Sequence, residues 1–263
     1  MLSQQYIGHY SNVIWQGYRV EDNSIYRNFI TNEVRERLND ESGQREIENH
    51  LRGLASTGFE QKNLNELLNT KPIEEKDWAI GEAFAEAILE KENNVEFPWN
   101  QKRDLRNENS SLSGADLIGL IEDNGQTKLL IGEVKTSHEK KYPPKVMNGQ
   151  HGMIEQLKAY HLNQTRQMTL VSWLLVRCKN TPFENKFNEA IKFFITNGNS
   201  GLYLVGILIR ISVDINELDL KNRAKTLDET LDGQNRGELQ AYYLPHNVDE
   251  FINLAIGGDQ NVK

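Results

Sequence analysis

The hydrophobic positions of this chain change period several times, and the changes divide it into elements. Residues 6–20 alternate as a strand does. From Ile25 to about Asn69 the apolar residues recur every three to four positions, and "IYRNFITNEVRERLN" and "QREIENHLRGLAS" read as amphipathic helices. "NTKPIEEKD" breaks that pattern, Pro72 disfavouring helix at Lys71. A helix is predicted from about Trp78 to Lys91, "WAIGEAFAEAILEK". Two aliphatic runs then flank Asn124-Gly125 in "SGADLIGLIEDNGQTKLLIGEVKTS", Ser113 to Ser137. Both turn positions need positive φ, and Asn-Gly supplies it, so this stretch predicts a hairpin. A helix near 150–163, a strand "MTLVSWLLVRC", a helix near 184–196, a strand "GLYLVGILIRIS", a short strand "LQAYYL" and a terminal helix follow. The alternation predicts an α/β fold, a mixed central sheet flanked by helices. Residues 1–75 read as an appended, mostly helical region suited to docking a partner, and residues 76–263 as the main domain.

Composition narrows the classes. Of 263 residues, 38% are hydrophobic and 26% charged, ordinary values for a globular protein. No apolar run approaches the roughly 18 to 20 residues of a membrane helix, and the first residues lack the basic start and apolar centre of a signal peptide, so a cytoplasmic protein is expected. The single cysteine, Cys178, excludes an internal disulfide and lies in an apolar run, where a structural thiol is expected. A formal net charge of -8 argues against nonspecific coating of nucleic acid, although local contacts to phosphates remain open. A P-loop is absent, as are Cys-x-x-Cys pairs and His-Glu-x-x-His.

Glu133-Val134-Lys135 is one of several pairs at this spacing. Glu74/Lys76, Glu139/Lys141, Glu184/Lys186 and Asp219/Lys221 share it. The hairpin separates them. A turn at Asn124-Gly125 places Asp123 opposite Gln126, Glu122 opposite Thr127, Leu120 opposite Leu129, Ile118 opposite Ile131, and Asp116 opposite Glu133. The period of two puts Asp116, Glu133 and Lys135 on one face. Two facing carboxylates repel, so a positive charge must compensate: Lys135 as an ion pair, or a hard divalent cation bound by carboxylate oxygens. None of the other four pairs has an acid placed opposite it by a hairpin.

Acid, hairpin, then Glu-x-Lys resembles the PD-(D/E)xK nuclease superfamily. The resemblance implies a restriction-endonuclease-like core, with Asp116, Glu133 and the Val134 carbonyl as ligands of Mg²⁺ or Mn²⁺, and Lys135 orienting the attacking water. It also implies a further acid on the preceding helix, for which this chain offers Glu82 and Glu86. At about 100° per residue, Glu82 falls between Trp78 and Ala79, whereas Glu86 falls between Ala79 and Glu90 on the wetter side, and Glu82 is preferred. Gln156 and Tyr160, four apart in "EQLKAYH", are similar to the Gln-x-x-x-Tyr signature of RecB-type members, whose upstream histidine this chain lacks. "HEKKYPPK" offers Lys140, Lys141 and Lys145 to a nucleic-acid backbone, and Trp99, Lys102 and Arg103 are further candidates. Gly81-Glu82, Gly114-Ala115-Asp116 and "LLIGEVK" also resemble HamA-type effector nucleases of the Hachiman antiphage system, which act with a helicase partner. The expectation is a Mg²⁺-dependent deoxyribonuclease working beside a helicase or ATPase subunit. The alternative is an inactive DNA-binding or interaction subunit of the same fold.

Overall fold

The structure is a computed structural model. It describes residues 1–69, 77–104, 114–198, 200–212 and 214–256. The protein is an α/β fold built on a seven-stranded mixed sheet, in the spatial order β1-β2-β7-β6-β5-β4-β3. The strands are β1 (Leu2–His9), β2 (Val13–Val20), β3 (Val95–Glu96), β4 (Leu117–Asp123), β5 (Gln126–Ser137), β6 (Tyr203–Arg210) and β7 (Arg236–Tyr243). β2, β7, β6 and β5 run parallel to one another, while β1 and β4 pair antiparallel with their inner neighbours.

Helices cover both faces, which is why β6, "YLVGILIR", is apolar almost without interruption. On one face lie α6 (Met153–Leu162), α7 (Gln164–Cys178), α8 (Glu184–Thr196) and α9 (Lys221–Asp228), closing over a core that includes Leu129, Ile131, Leu157, Leu174 and Phe187. On the other lie α1 (Ser24–Asn28), a π-helical turn (Phe29–Val34), α2 (Arg35–Asn39), α5 (Asp77–Asn93) and α10 (Val248–Ile256), over Leu130, Val134, Ile207, Phe84 and Phe251. The remaining helices, α3 (Glu41–Leu54) and α4 (Gly58–Leu68), form a hairpin that leaves Ile47, Leu54, Phe59 and Leu67 exposed.

Two sequence expectations need correction. Residues 1–75 are not a helical appendage, because β1 and β2 extend the central sheet and β2 pairs in parallel with β7. α1, the π-helical turn and α2 bury Tyr26, Ile30, Val34 and Leu38 in the same core as α5, so among the described helices only α3 and α4 stand outside the layers. The stretch "MTLVSWLLVRC" is helix α7, not a strand. Its buried residues, Gln167, Leu170, Leu174 and Cys178, recur every three to four positions, and the Asn163 side chain caps the start by accepting from the Arg166 N–H. Exposed Met168, Leu175 and Val176 hide that period by making the outer face apolar too.

Candidate active site

The hairpin sets the register of the site. Asn124 and Gly125 both adopt positive φ (53° and 74°), and the β4–β5 ladder runs from Asp123 opposite Gln126 to Leu117 opposite Gly132. Pairing with β4 stops at Gly132, but β5 continues to Ser137 alongside β6. From Glu133 onward, the edge of β5 that faces β4's side has no strand partner among the described residues, and Asp116, one residue before β4, fills part of that gap. Its Oδ2 accepts the Val134 N–H at 2.8 Å. The N–H and C=O of one strand residue point to the same side, so the Val134 carbonyl faces this open edge as well.

Glu133 is buried, and Lys135 bonds it through Nζ–Oε1 at 2.5 Å. Glu82 arrives from the opposite helical layer. α5 closes on β5 at Gly81, where a Cβ would stand 2.5 Å from Thr136 Oγ1, so a larger residue there forces Thr136 or the helix to move, and the approach carries the next residue, Glu82, to the strand edge. Glu82, Asp116, Val134, Lys135 and Thr136 line one cavity of about 420 Å³. Trp78, His138, Ile211, Phe251 and Ile252 complete its walls.

The charges in this cavity do not balance. Burial pushes the Glu82 carboxyl up to about 9, with the negative charges of Asp116, Glu86 and Glu133 adding to the rise and Lys135 opposing it. Asp116 and Glu133 are likewise raised, chiefly by burial; the Val134 N–H and Lys135 limit the effect on Asp116, and Asp116 adds to that on Glu133. Tyr160 of α6 is buried and its hydroxyl is raised above the ordinary tyrosine range by burial and then by Glu133 and Asp116, which places it beside the cluster. Gln156, one turn earlier, is half-buried.

The donor chemistry, three carboxyls against one lysine, fits a hard cation. No group of three or more His, Cys, Asp or Glu is drawn together closely enough to hold a metal among the described residues. Lys135 already holds Glu133.

Several sequence candidates lie elsewhere. Glu86 is buried rather than wet, 3.7 Å from Arg37, with its carboxyl pushed up to about 7 by burial. The helical wheel misplaced it because residues before α5 cover the face that a lone helix would leave to solvent. Arg103 pairs with Asp40 and stacks on Trp99, and Lys102 donates to the Leu38 carbonyl. Lys140, Lys141 and Lys145 are exposed on the loop after β5. Of the other acid–lysine pairs, Glu74/Lys76 lies outside the described residues, while Lys186 pairs with Glu96, Lys221 with Glu217, and Asp219 with Arg210. Cys178 is buried, its thiol pushed up to about 11 by burial.

Sequence reasoning passed over Trp78, which had a signal: it precedes Glu82 by four and shares its helical face. His138 and Arg210 were also missed, and an arginine ending the apolar run "LVGILIR" is itself a sign of a buried partner. The chain matches no model of a known protein family, and no curated protein matches it in sequence.

Proposed function

We propose that this protein is a divalent-metal-dependent nuclease that hydrolyses phosphodiester bonds in DNA on a restriction-endonuclease-like core. The observation that carries the reading is that Glu82, Asp116 and Lys135 line one cavity past the end of the β4 pairing, with the buried Glu133 bonded to Lys135 beside it. Structural ion pairs are ordinarily balanced, whereas this cluster keeps excess carboxylate in a partly buried place, an arrangement whose cost a cation would offset.

In this reading Asp116, Glu133, the Val134 carbonyl and Glu82 hold Mg²⁺ or Mn²⁺. When bound, the ion supplies positive charge to the reacting phosphate and makes water easier to deprotonate. The remaining work belongs to the chain. Lys135, released from Glu133, presents its ammonium to the attacking water and to charge developing on the phosphate oxygens. Asp116 stays anchored by the Val134 N–H, so its free oxygen keeps a fixed direction. Tyr160 and the apolar wall of Phe251 and Ile252 restrict water on either side. The acidic overall charge and the exposed apolar residues of α3 and α4 support a partner that brings the DNA, and the HamA-like resemblance suggests a helicase.

One observation favours a second reading, an interaction subunit with a structural ion pair: Lys135 already neutralises Glu133. Incubation with supercoiled, linear and single-stranded DNA and Mg²⁺ or Mn²⁺, with and without a co-purified partner, separates the two. The nuclease reading expects metal-dependent cleavage and a metal-dependent rise in melting temperature that Glu133→Ala removes. No cleavage in any arm, together with no metal-dependent rise, overturns it.

A further inference from the structure

Arg210, the last residue of β6, is fully buried. Its Nε donates to Asp219 Oδ2 at 3.1 Å, and Asp219 also accepts from the Tyr243 hydroxyl at 2.9 Å. The rest of the guanidinium is spent on one loop. Nη1 donates to the Glu139 carbonyl at 2.7 Å and reaches Ser137 Oγ at 3.5 Å, Nη2 donates to the Lys141 carbonyl at 3.3 Å, and the group lies over the Tyr142 ring at 5.6 Å. Two backbone carbonyls two residues apart are thus pinned by one rigid fork. A lysine, with a single nitrogen, cannot reproduce that geometry.

The pinned loop leaves β5 just past Lys135, and its first residue, His138, lines the cavity with Glu82 and Asp116. Its lysines, Lys140, Lys141 and Lys145, all point to solvent, and none is within ion-pair distance of a carboxylate among the described residues. The loop's own acid, Glu139, makes no ion pair with them, and its Oε2 accepts the Lys145 backbone N–H at 2.7 Å. In a chain of net charge -8, three such cations held on a buried support beside a carboxylate cavity form a local exception.

We propose that Arg210 is a positioning residue that fixes the loop of residues 138–145 so that Lys140, Lys141 and Lys145 meet the phosphates of a nucleic acid strand entering the cavity. The inference rests on the nuclease reading for its ligand class, and on Arg210's bonds for the positioning. Preorganisation is the physical gain: cations already in place lose less freedom on binding than cations on a free loop.

Three proteins test it: wild type, Arg210→Lys, and the surface variant Lys140→Gln/Lys141→Gln/Lys145→Gln. Binding of labelled duplex DNA is titrated against salt in a chelator, and trypsin cleavage after Lys140 and Lys141 is timed in wild type and Arg210→Lys. The expected results are a salt slope shallower by about two to three in the triple variant, at roughly 0.9 for each phosphate no longer neutralised, an affinity on the order of tenfold weaker in Arg210→Lys, whose lysines are intact but no longer held in place, and loop cleavage on the order of tenfold faster in Arg210→Lys. On any DNA the wild type cuts, KM rises and kcat holds. A wild-type slope in the triple variant overturns the proposal, and so does wild-type trypsin resistance in Arg210→Lys. Should Arg210→Lys not fold, amide hydrogen exchange of residues 138–145 in the wild type replaces it: exchange as slow as that of β6 supports the anchored loop, and exchange at the rate of a free loop overturns the proposal. Wild-type DNA binding without cleavage counts against the nuclease reading only, whereas no DNA binding by the wild type overturns this inference.

Discussion

Glu133 and Glu238 are both buried carboxylates on the central sheet, two strands apart, and the protein treats them in opposite ways. Glu238 Oε1 accepts from Gln16 Nε2 at 2.5 Å and from Gln240 Nε2 at 2.7 Å, and its Oε2 accepts from the Tyr203 hydroxyl at 2.6 Å. Three neutral donors from three strands thus serve this carboxylate. Glu133 has one donor side chain, Lys135, and two further acids, Asp116 and Glu82, close enough to raise its neighbours or itself. Neutral donors in full complement mark a group that specifies the fold. Incomplete neutralisation among like charges marks a group kept for something outside the chain.

Two substitutions probe that contrast most directly. Glu133→Gln is expected to cut metal-dependent cleavage by about 10²–10³-fold or more, with melting temperature unchanged or raised because repulsion with Asp116 is relieved. Lys135→Ala is expected to match it in activity, whereas Lys186→Ala and Lys221→Ala, at the same spacing from an acid, leave cleavage intact. Wild-type cleavage rates in both Glu133→Gln and Lys135→Ala sink the assignment. Glu238→Ala should do the reverse: three buried donors lose their acceptor, at a cost of about 3 kcal/mol or more, read as a melting temperature lower by on the order of 10 °C, with any folded fraction retaining its specific activity. If Glu238→Ala proves neutral, the contrast between the two carboxylates fails.

What was legible in the sequence followed from local rules. Asn124-Gly125 set a register, the register put Asp116 beside the Glu133 strand edge, and an amphipathic helix offered Glu82. What was not legible depended on distant residues. The burial of Glu86 comes from Arg37 and the helices before α5, which no wheel of α5 contains. α7 looked like a strand because the face turned away from the core also carries apolar residues. Residues 6–20 read as one strand-like stretch where the structure has the antiparallel pair β1 and β2, and the place of β2 beside β7 joins residues more than 200 apart, a pairing that no periodicity encodes. The Arg210 anchor is of the same kind, since it joins β6 to a loop some 70 residues earlier.

The approach of α5 to β5 supplies a sharper, smaller test of how Glu82 joins the cluster. Gly81→Ala sets a methyl against Thr136 Oγ1, so the helix or the strand must shift, at a cost of about 1–3 kcal/mol. Moving Glu82 should also lower cleavage. Adding Thr136→Ala removes the obstructing oxygen, and the nearest Thr136 atom left is Cβ at 3.8 Å, an ordinary contact. The double variant is therefore expected to recover most of the stability and the activity, a positive coupling in the double-mutant cycle. Additive losses would show that the close approach does not position Glu82.

The smallest expected effect is a gradient in stability with pH. Glu82 carries its proton up to about 9 in the folded protein, against about 4.5 for an ordinary glutamate. Between those values the folded state binds more protons than the unfolded state, so stability falls as pH rises. The contribution is fully present below about pH 4.5 and is lost as the pH rises through about 9. Glu133 and Asp116 are raised in the same sense and steepen the slope. Melting curves in chelator from about pH 5 to pH 9 should thus decline more steeply in wild type than in Glu82→Gln, with Mg²⁺ or Mn²⁺ restoring stability most at the alkaline end, where the carboxylates are free to bind it. A wild-type curve as flat as that of Glu82→Gln would mean that the acids already have their counter-charge within the chain, and the cavity would then belong with Glu238 as part of the scaffold.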